Sequence, residues 1–171
     1  SAWALPRSTW AQTNADDDEV RPDRALRFPR DHGAHPGSRI EWWYITVWLT
    51  SGKTGGDGLM GFQLTFFRSR TGLGAGLVGH LVPRQLLFAH AAITEPKPGG
   101  HRHAQRMARW SEDERDAGPI ASRSDTHLRL GAWRLQHHNV AEGSRFDARL
   151  AAPEAGFTLD LALTSTQTLL L

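Results

Sequence analysis

Apolar and polar residues alternate with a period of two through much of the chain from residue 41 onward. The pattern is clearest in residues 41–50 and 59–68, which a glycine-rich turn at residues 52–58 separates. Because successive side chains of a strand point to opposite faces of its sheet, this spacing predicts an antiparallel β-hairpin.

The rest of the chain also predicts strands rather than helices. Further strands are expected at residues 86–94, 127–130, 132–136, 145–151 and 157–164. A short helix is expected only in the charged stretch at residues 104–116. Roughly seven closely spaced strands predict an all-β fold, built as an antiparallel barrel or sandwich.

The two faces of the predicted hairpin differ in character. In one natural register Glu41 lies opposite Arg68, and one face is then uniformly apolar. This apolar face carries Trp43, Ile45, Val47, Phe62, Leu64 and Phe66. The other face carries Trp42, Tyr44, Thr46, Trp48, Gly61, Gln63, Thr65 and Phe67. Aromatic walls dotted with hydroxyl and amide groups are common in the lumen of ligand-binding barrels.

This mixed face is the predicted ligand-binding surface, with Trp42, Tyr44, Trp48, Gln63 and Phe67 as its binding residues. An alternative stays open, because a period-two pattern does not say which face points inward. In that alternative the face is half-exposed and its tryptophans pack against a neighbouring domain.

Composition and charge exclude several classes of protein. The length of 171 residues, with 39% hydrophobic and 22% charged residues, suits one globular domain. The 20 Lys and Arg residues nearly balance 18 Asp and Glu residues. No run of five like charges occurs, so the sequence does not predict a nucleic-acid partner. The longest uncharged apolar run, residues 42–51, is about half the length of a transmembrane helix. The absence of cysteine excludes disulfides, thiol nucleophiles and cysteine-based zinc sites.

Histidines supply the first candidates for chemistry. His32 and His35 form an H-x-x-H pattern beside Asp31, but no third ligand stands at a recognisable spacing. Loop histidines bonded to the backbone are commoner than metal ligands, so neither a metal nor another cofactor is predicted. His90 is centred in an apolar strand and is the one histidine expected to be buried. It is either a hydrogen-bonded core residue or a proton carrier facing a cavity, and with Glu41 it is a candidate catalytic residue.

Charged residues at the entry to the first strand form a second candidate group. Arg39 and Glu41 alternate onto one face, where Arg68 can join them. Such a cluster is either structural or orients a substrate. The chain has no G-x-S-x-G, no Walker loop and no dinucleotide-binding turn, and the positions of Ser, His and Asp show no hydrolase arrangement.

The N-terminal 25 residues are predicted to lie outside the folded domain. Residues 2–12 are apolar and then rich in small residues, as in the end of an export signal cleaved near Ala11, or they are a plain disordered N-terminus. Residues 14–24 read as a solvated acidic leader. The domain itself is expected over residues 26–171.

Three blocks of residues carry a family resemblance. Residues 28–36, then Arg39 and the E-W-W-Y of residues 41–44, form the first block. The G-F-Q-L-T-F-F-R of residues 61–68 and the F-A-H-A-A-I-T of residues 88–94 follow in order. Together they resemble the AttH-like and carotenoid 1,2-hydratase (hydroxyneurosporene synthase) family, from about residue 26 to the C-terminus.

The resemblance implies two lipocalin-like (calycin-type) antiparallel β-barrels, of which this chain carries the N-terminal one. It also implies export to the periplasm or cell envelope of a bacterium. The family motif positions that match are His32, His35, Arg39, Trp43 and Arg68. Residues tied to the acid chemistry of the hydratases belong to the second barrel, so none of them is carried over to this chain.

Three functions are open on these grounds. In the first, the barrel binds a hydrophobic small molecule, a lipid or an isoprenoid. In the second, it forms part of an enzyme, a carotenoid hydratase or a secreted hydrolase, whose active site needs the second barrel of the same protein. In the third, it is a non-catalytic envelope protein associated with an ABC-type transporter permease and filled by its own tryptophans. The room available for a ligand separates the first from the third.

Overall fold

The alternating pattern forms a four-stranded antiparallel sheet. The computed structural model describes residues 21–50, 58–72, 84–110, 118–141 and 143–167. The strands β1 (Ile40–Thr50) and β2 (Leu59–Arg70) pair with Glu41 opposite Arg68, so the predicted register is confirmed. The strands β3 (Gln85–Thr94) and β4 (His101–Trp110) complete the sheet in the order β1-β2-β3-β4.

A second antiparallel sheet follows, with five strands in the order β5-β6-β7-β8-β9. Its strands are β5 (Ile120–Ala121), β6 (His127–Leu130), β7 (Trp133–Val140), β8 (Gly143–Ala152) and β9 (Phe157–Thr164). Two short 3-10 turns, Arg30–His32 and Pro153–Ala155, are the helical elements of the described residues.

The predicted helix at residues 104–116 is wrong over its described part. Residues 104–110 belong to β4, which pairs along its whole length with β3. Ala104 and Trp110 are buried against the core, while the charged residues between them reach solvent. Helix-forming residues adopt a strand here because pairing and one-sided burial outweigh their intrinsic preference. Residues 111–116 lie outside the described part.

The hydrophobic core lies between the two sheets. Phe62, Leu64 and Phe66 of β2 are almost fully buried, and Leu128 and Trp133 oppose them from the second sheet. Each fully buried side chain of this size contributes about 1.5–3 kcal/mol of transfer free energy. The uniformly apolar face of the first hairpin is therefore the one that points inward.

The mixed face of the hairpin points outward, so the expectation that it lines the interior is wrong. Trp42, Tyr44 and Trp48 are 68%, 70% and 72% exposed. Gln63 is exposed as well, and Phe67 is half-buried by stacking on Phe88 with ring centroids 4.5 Å apart. The all-apolar face had the larger transfer free energy to gain, and this decided the orientation.

Two separate hydrogen-bonded ladders, one for each sheet, connect the described strands. The structure thus shows two packed antiparallel sheets, and a closed barrel stays a prediction. Residues 1–20 of the predicted leader lie outside the described residues; Arg24, at its end, donates from Nη2 to Oδ1 of Asp31 at 3.0 Å. Within the described ranges no helix is long and apolar enough to cross a membrane.

Candidate functional site

A cleft of about 490 Å³ opens beside β1, an edge strand of the first sheet. Its volume lies within the roughly 300–1,000 Å³ of small-molecule sites. It is lined by Asp31, His32, Gly33, His35, Glu41, Trp42, Trp43, Tyr44, Ile45, Thr126, Leu135 and Phe146. Because β1 is an edge strand, residues from both of its faces reach the cleft.

The apolar walls of the cleft come from both sheets. Trp43 and Ile45 face it from β1, and Leu135 and Phe146 face it from β7 and β8. The exposed rings of Trp42 and Tyr44 form part of its rim. Of the five predicted ligand-binding residues, the structure therefore brings Trp42 and Tyr44 to the cleft. Trp48, Gln63 and Phe67 lie elsewhere on the outer face of the sheet.

The polar end of the cleft is built by the segment before β1, residues 28–38, which we call the histidine loop. Ala34 is fully buried in this loop, and its N–H donates to the carbonyl of Ser122 at 2.7 Å. Gly33 lies so close to the backbone of Arg123 that an added Cβ would stand 2.6 Å from it. The absence of a side chain at Gly33 thus allows the loop to pack on residues 122–126.

Two further bonds hold the histidine loop from opposite sheets. The carbonyl of His32 accepts a hydrogen bond from Nε1 of Trp43 at 2.9 Å and another from Oγ1 of Thr126 at 3.0 Å. Trp43 belongs to β1, and Thr126 immediately precedes β6. The loop consequently bridges the two sheets at the cleft.

Arg68 is the centre of a buried ionic network. Its side chain is fully buried, and its Nε donates to Oε2 of Glu41 at 2.8 Å. Its Nη2 donates to the carbonyls of His35 and Ser38 at 2.6 and 2.9 Å, and Nη1 donates to Gln85. We call Arg68, Glu41, His35 and Asp31 the Arg68 cluster; it ties the histidine loop to β1 and β2.

His35 is held between the two carboxylates of this cluster. Its Nδ1 lies 2.6 Å from Oε1 of Glu41, and its Nε2 lies 3.2 Å from Oδ1 of Asp31. The hydrogen bond with Glu41 raises the pKa of His35, and the bond with Asp31 adds to that effect. Both ring nitrogens therefore donate, and the protonated form of His35 is favoured.

Both carboxyl groups of the Arg68 cluster are stabilised in their ionised form. Burial works against ionisation of Glu41, but hydrogen bonds from His35 and the charge of Arg68 lower its pKa. For Asp31, burial is likewise outweighed by the N–H of Arg27 and by His35, and its pKa is lowered. The charged groups of the Arg68 cluster are thus paired and hydrogen-bonded to one another, as charges shielded from water usually are.

The predicted group of Arg39, Glu41 and Arg68 is only partly assembled. Glu41 and Arg68 are paired, as the sequence predicted. Arg39 is exposed, and its carbonyl accepts a hydrogen bond from the N–H of Arg70 at 2.9 Å. Instead of Arg39, His35 of the histidine loop is the second basic residue that contacts Glu41.

His90 is half-buried on the outer face of the first sheet, so the expectation that it is the buried histidine is wrong. Leu87, Ala89 and Ala91 are the buried residues of β3 around it, and alternation places His90 on the opposite side. Its ring centroid lies 5.8 Å from that of His103. Burial, followed by this neighbouring histidine, lowers the pKa of His90.

His32 and His35 have separate environments. The ring of His32 packs 4.3 Å from Phe28 and 5.0 Å from His137, centroid to centroid, whereas His35 is bonded to carboxylates through both nitrogens. Burial and the charge of His137 lower the pKa of His32. No group of three or more metal-binding side chains occurs among the residues that the structure describes.

A second polar cluster lies across the histidine loop, on the inner face of the second sheet. Nδ1 of His137 stands 2.8 Å from both carboxylate oxygens of Asp125, and its Nε2 stands 3.0 Å from Oγ of Ser144. The side chain of His137 is 1% exposed, against 26% for Asp125. We call these three residues the His137 cluster.

The His137 cluster was not predicted, because the positions of Ser, His and Asp along the chain show no hydrolase arrangement; the contacts among these three residues arise only in the folded chain. The predicted strand ended at residue 136, whereas β7 continues to Val140 and places His137 on the buried face after Trp133 and Leu135. The continuing alternation was the available signal. Pairing of β7 with β8 then brings Ser144 opposite Asn139, close to His137.

A family model and a solved structure both relate the chain to AttH-like proteins. A model of the AttH-like family matches residues 19–171. The crystal structure of a Nitrosomonas europaea protein provisionally named AttH is similar, with 37% sequence identity and a TM-score of 0.68. The match covers 87% of this chain and 41% of that protein, so the chain spans less than half of its length. The comparison with curated proteins found no match.

Proposed function

The chain belongs to the AttH-like family, and from the cleft beside β1 we propose that it binds a hydrophobic small molecule such as a lipid or an isoprenoid. The observation that carries the proposal is the cleft itself: about 490 Å³, with aromatic and aliphatic walls and a polar end. A site of this kind binds through its apolar walls, while a few polar groups orient the ligand.

The polar end of the cleft favours an apolar ligand over a charged one. Asp31, Glu41 and His35 already neutralise one another and have Arg68 as a further partner. Because this network is satisfied within the protein, a charged ligand would have to compete with existing ion pairs. An uncharged ligand meets no such competition and gains from leaving water.

The test is a fluorescence titration with the apolar probe N-phenyl-1-naphthylamine. Trp42→Ala should weaken binding about fivefold or more, because the variant removes an aromatic ring from the rim of the cleft. Trp48→Ala is the matched control, since Trp48 is as exposed on the same strand but lies away from the cleft. Equal losses in the two variants would mean that the probe binds the outer face, and the proposal would then fail.

Two other functions compete with this proposal. The non-catalytic one assumed an interior filled by tryptophans; Trp110 and Trp133 are indeed buried, yet the cleft leaves room for a ligand. A hydratase needs an acid that protonates a C=C bond. His35 borders the cleft and favours its protonated form, but its protons are directed at Asp31 and Glu41. The cleft therefore supports binding better than hydration.

The setting of the domain belongs to the same proposal. We propose that it is the lipocalin-like N-terminal part of an exported, envelope-located protein and works beside a second barrel of that protein. The family resemblance supports this setting, as does the greater length of the Nitrosomonas protein. A transporter permease is the proposed macromolecular partner, and co-purification from detergent-solubilised membranes with the full-length protein is its test.

A further inference from the structure

We propose that Ser144 is a nucleophile activated by His137 and Asp125, and that this cluster hydrolyses carboxylic esters with apolar acyl chains. The ring of His137 contacts both partners: its Nδ1 lies 2.8 Å from the Asp125 carboxylate, and its Nε2 lies 3.0 Å from Oγ of Ser144. Triads of this type are recognised by geometry and role and not by position in the sequence.

The contact with the Asp125 carboxylate indicates which ring nitrogen of His137 carries the proton. Since an ionised Asp125 only accepts hydrogen bonds, Nδ1 of His137 must be the nitrogen that carries the proton. In the neutral ring Nε2 is then an acceptor, and the bond at 3.0 Å is donated by the hydroxyl of Ser144. A hydroxyl that donates to an imidazole is the arrangement from which general-base activation begins.

Burial distinguishes the base from the nucleophile. The His137 side chain is almost completely enclosed, with Phe146 packed 4.8 Å and His32 packed 5.0 Å from its ring centroid. Ser144 retains partial exposure. The base is thus held in one orientation, whereas Ser144 is not closed off from solvent.

The position of the cluster relative to the cleft suggests the substrate class. Asp125 immediately precedes Thr126, and Ser144 shares the inner face of β8 with Phe146; both Thr126 and Phe146 line the cleft. An ester whose acyl chain lies in the cleft can present its carbonyl at this end. The preference for apolar esters rests on the proposed binding function, whereas the identity of the nucleophile does not.

The reaction consumes one ester and one water and needs no other reactant. Oγ of Ser144 attacks the carbonyl carbon while its proton passes to Nε2 of His137. The tetrahedral intermediate collapses, its bond to the alkoxy oxygen breaks, and His137 returns the proton to the departing alcohol. Water then attacks the acyl-serine with His137 as base, and the carboxylic acid leaves as Ser144 regains its proton. Asp125 stabilises the imidazolium formed in each half-reaction.

The decisive experiment treats the intact protein with a fluorophosphonate probe and locates the adduct by peptide mass spectrometry. We expect labelling of Ser144, abolished in Ser144→Ala and retained in Ser165→Ala. Ser165 is a suitable control because it is exposed, donates from Oγ to Gln167 and lies close to Ser144 through its backbone. An unlabelled Ser144, or equal labelling of other serines, would overturn the proposal.

Hydrolysis of p-nitrophenyl octanoate gives a second, independent measurement. Ser144→Ala and His137→Gln should each lower kcat/KM by about 100-fold or more. Asp125 is a positioning residue, so Asp125→Asn should lower kcat with little change in KM, and Asp125→Glu should restore part of it. If Asp125→Glu behaves like Asp125→Asn and both merely lower the unfolding midpoint, the cluster is structural and the proposal fails.

The two proposals can fail separately. Ser144→Ala should leave the affinity for N-phenyl-1-naphthylamine unchanged, because Ser144 is not among the residues that line the cleft. Trp42→Ala should weaken binding of the naphthylamine probe and raise KM for the octanoate ester, while any fluorophosphonate adduct that forms in this variant should still map to Ser144. If Ser144 is labelled by the fluorophosphonate but the protein does not bind N-phenyl-1-naphthylamine, the proposed ligand binding in the cleft is refuted and the proposed role of Ser144 stands.

Discussion

One histidine-centred cluster includes His35 of the histidine loop, a second packs its His137 against His32 of the loop, and the two differ in what the second ring nitrogen meets. His35 has a carboxylate at each nitrogen, from Glu41 and Asp31. His137 has one carboxylate, from Asp125, and one hydroxyl, from Ser144. Carboxylates lie at both nitrogens of the first ring, so its protonated form is favoured. In the second ring Nε2 meets a hydroxyl, and this nitrogen can accept a proton from Ser144 when the ring is neutral. The same side chain is thus an ion-pair partner in one cluster and suited to proton transfer in the other.

The largest expected effect is at the centre of the Arg68 cluster. Arg68→Met should destabilise the protein by about 3–5 kcal/mol, because it removes the arginine partner of the shielded Glu41 carboxylate and leaves His35 as its remaining cation. Urea unfolding followed by tryptophan fluorescence measures the loss. Arg70→Met is the matched control, since Arg70 is exposed and donates to the carbonyl of Gly37. Similar losses in both variants would show that burial of Arg68 has no special weight.

A smaller loss is expected where the histidine loop meets residues 122–126. Gly33→Ala places a Cβ 2.6 Å from backbone atoms of Arg123, and it should cost about 1–3 kcal/mol by overpacking. Gly61→Ala is the control, because its Cβ would meet the ring of Trp48 at an ordinary 3.4 Å. Thermal unfolding of the two variants compares them. A fully stable Gly33→Ala variant would mean that the loop can lift from this contact.

The contribution of the Arg68 cluster to stability should depend on pH. Lowered pKa values of Asp31 and Glu41 stabilise the fold above their ordinary values of 3.8 and 4.5, and this contribution is lost as the pH falls through the lowered values. The raised pKa of His35 stabilises the fold below 6.5, and this contribution is lost as the pH rises through the raised value. The Arg68 cluster therefore contributes most between pH 4.5 and 6.5.

Urea midpoints measured from pH 3 to 9 provide the check. His35→Gln should abolish the decline in stability on the alkaline side of pH 6.5, because Gln does not titrate. His90→Gln should leave that decline in place, since the pKa of His90 is lowered and its own contribution is lost on the acid side. An alkaline decline that survives in His35→Gln would assign it to another group.

The smallest effect concerns the carbonyl that both sheets share. Thr126→Val removes one of the two donors to the carbonyl of His32 and should cost about 0.5–1.5 kcal/mol. Trp43→Phe removes the other. In a double-mutant cycle, the loss of stability in the double variant should exceed the sum of the losses in the two single variants. The reason is that only the double variant leaves this carbonyl without either bond. Additive losses would indicate that water replaces the donors.

Local pattern was sufficient for the first hairpin and for its ion pair. Alternation set the strands, and the glycine-rich turn set the register that places Glu41 opposite Arg68. Prediction from local pattern failed in β4, where strand pairing and one-sided burial outweighed helix propensity. It also failed in β7, which continues beyond its last apolar core residue. The position of His137 followed from that continuation.

The sequence by itself determined seven of the nine described strands, the pairing of the first hairpin and the family to which the chain belongs. These depend on neighbours in sequence, whose side chains alternate with a fixed period. Only the tertiary structure decided which face of β1 is buried, because that choice depends on the second sheet. It also decided that Asp125, His137 and Ser144 meet, since their contacts arise from sheet pairing and loop packing rather than from spacing along the chain.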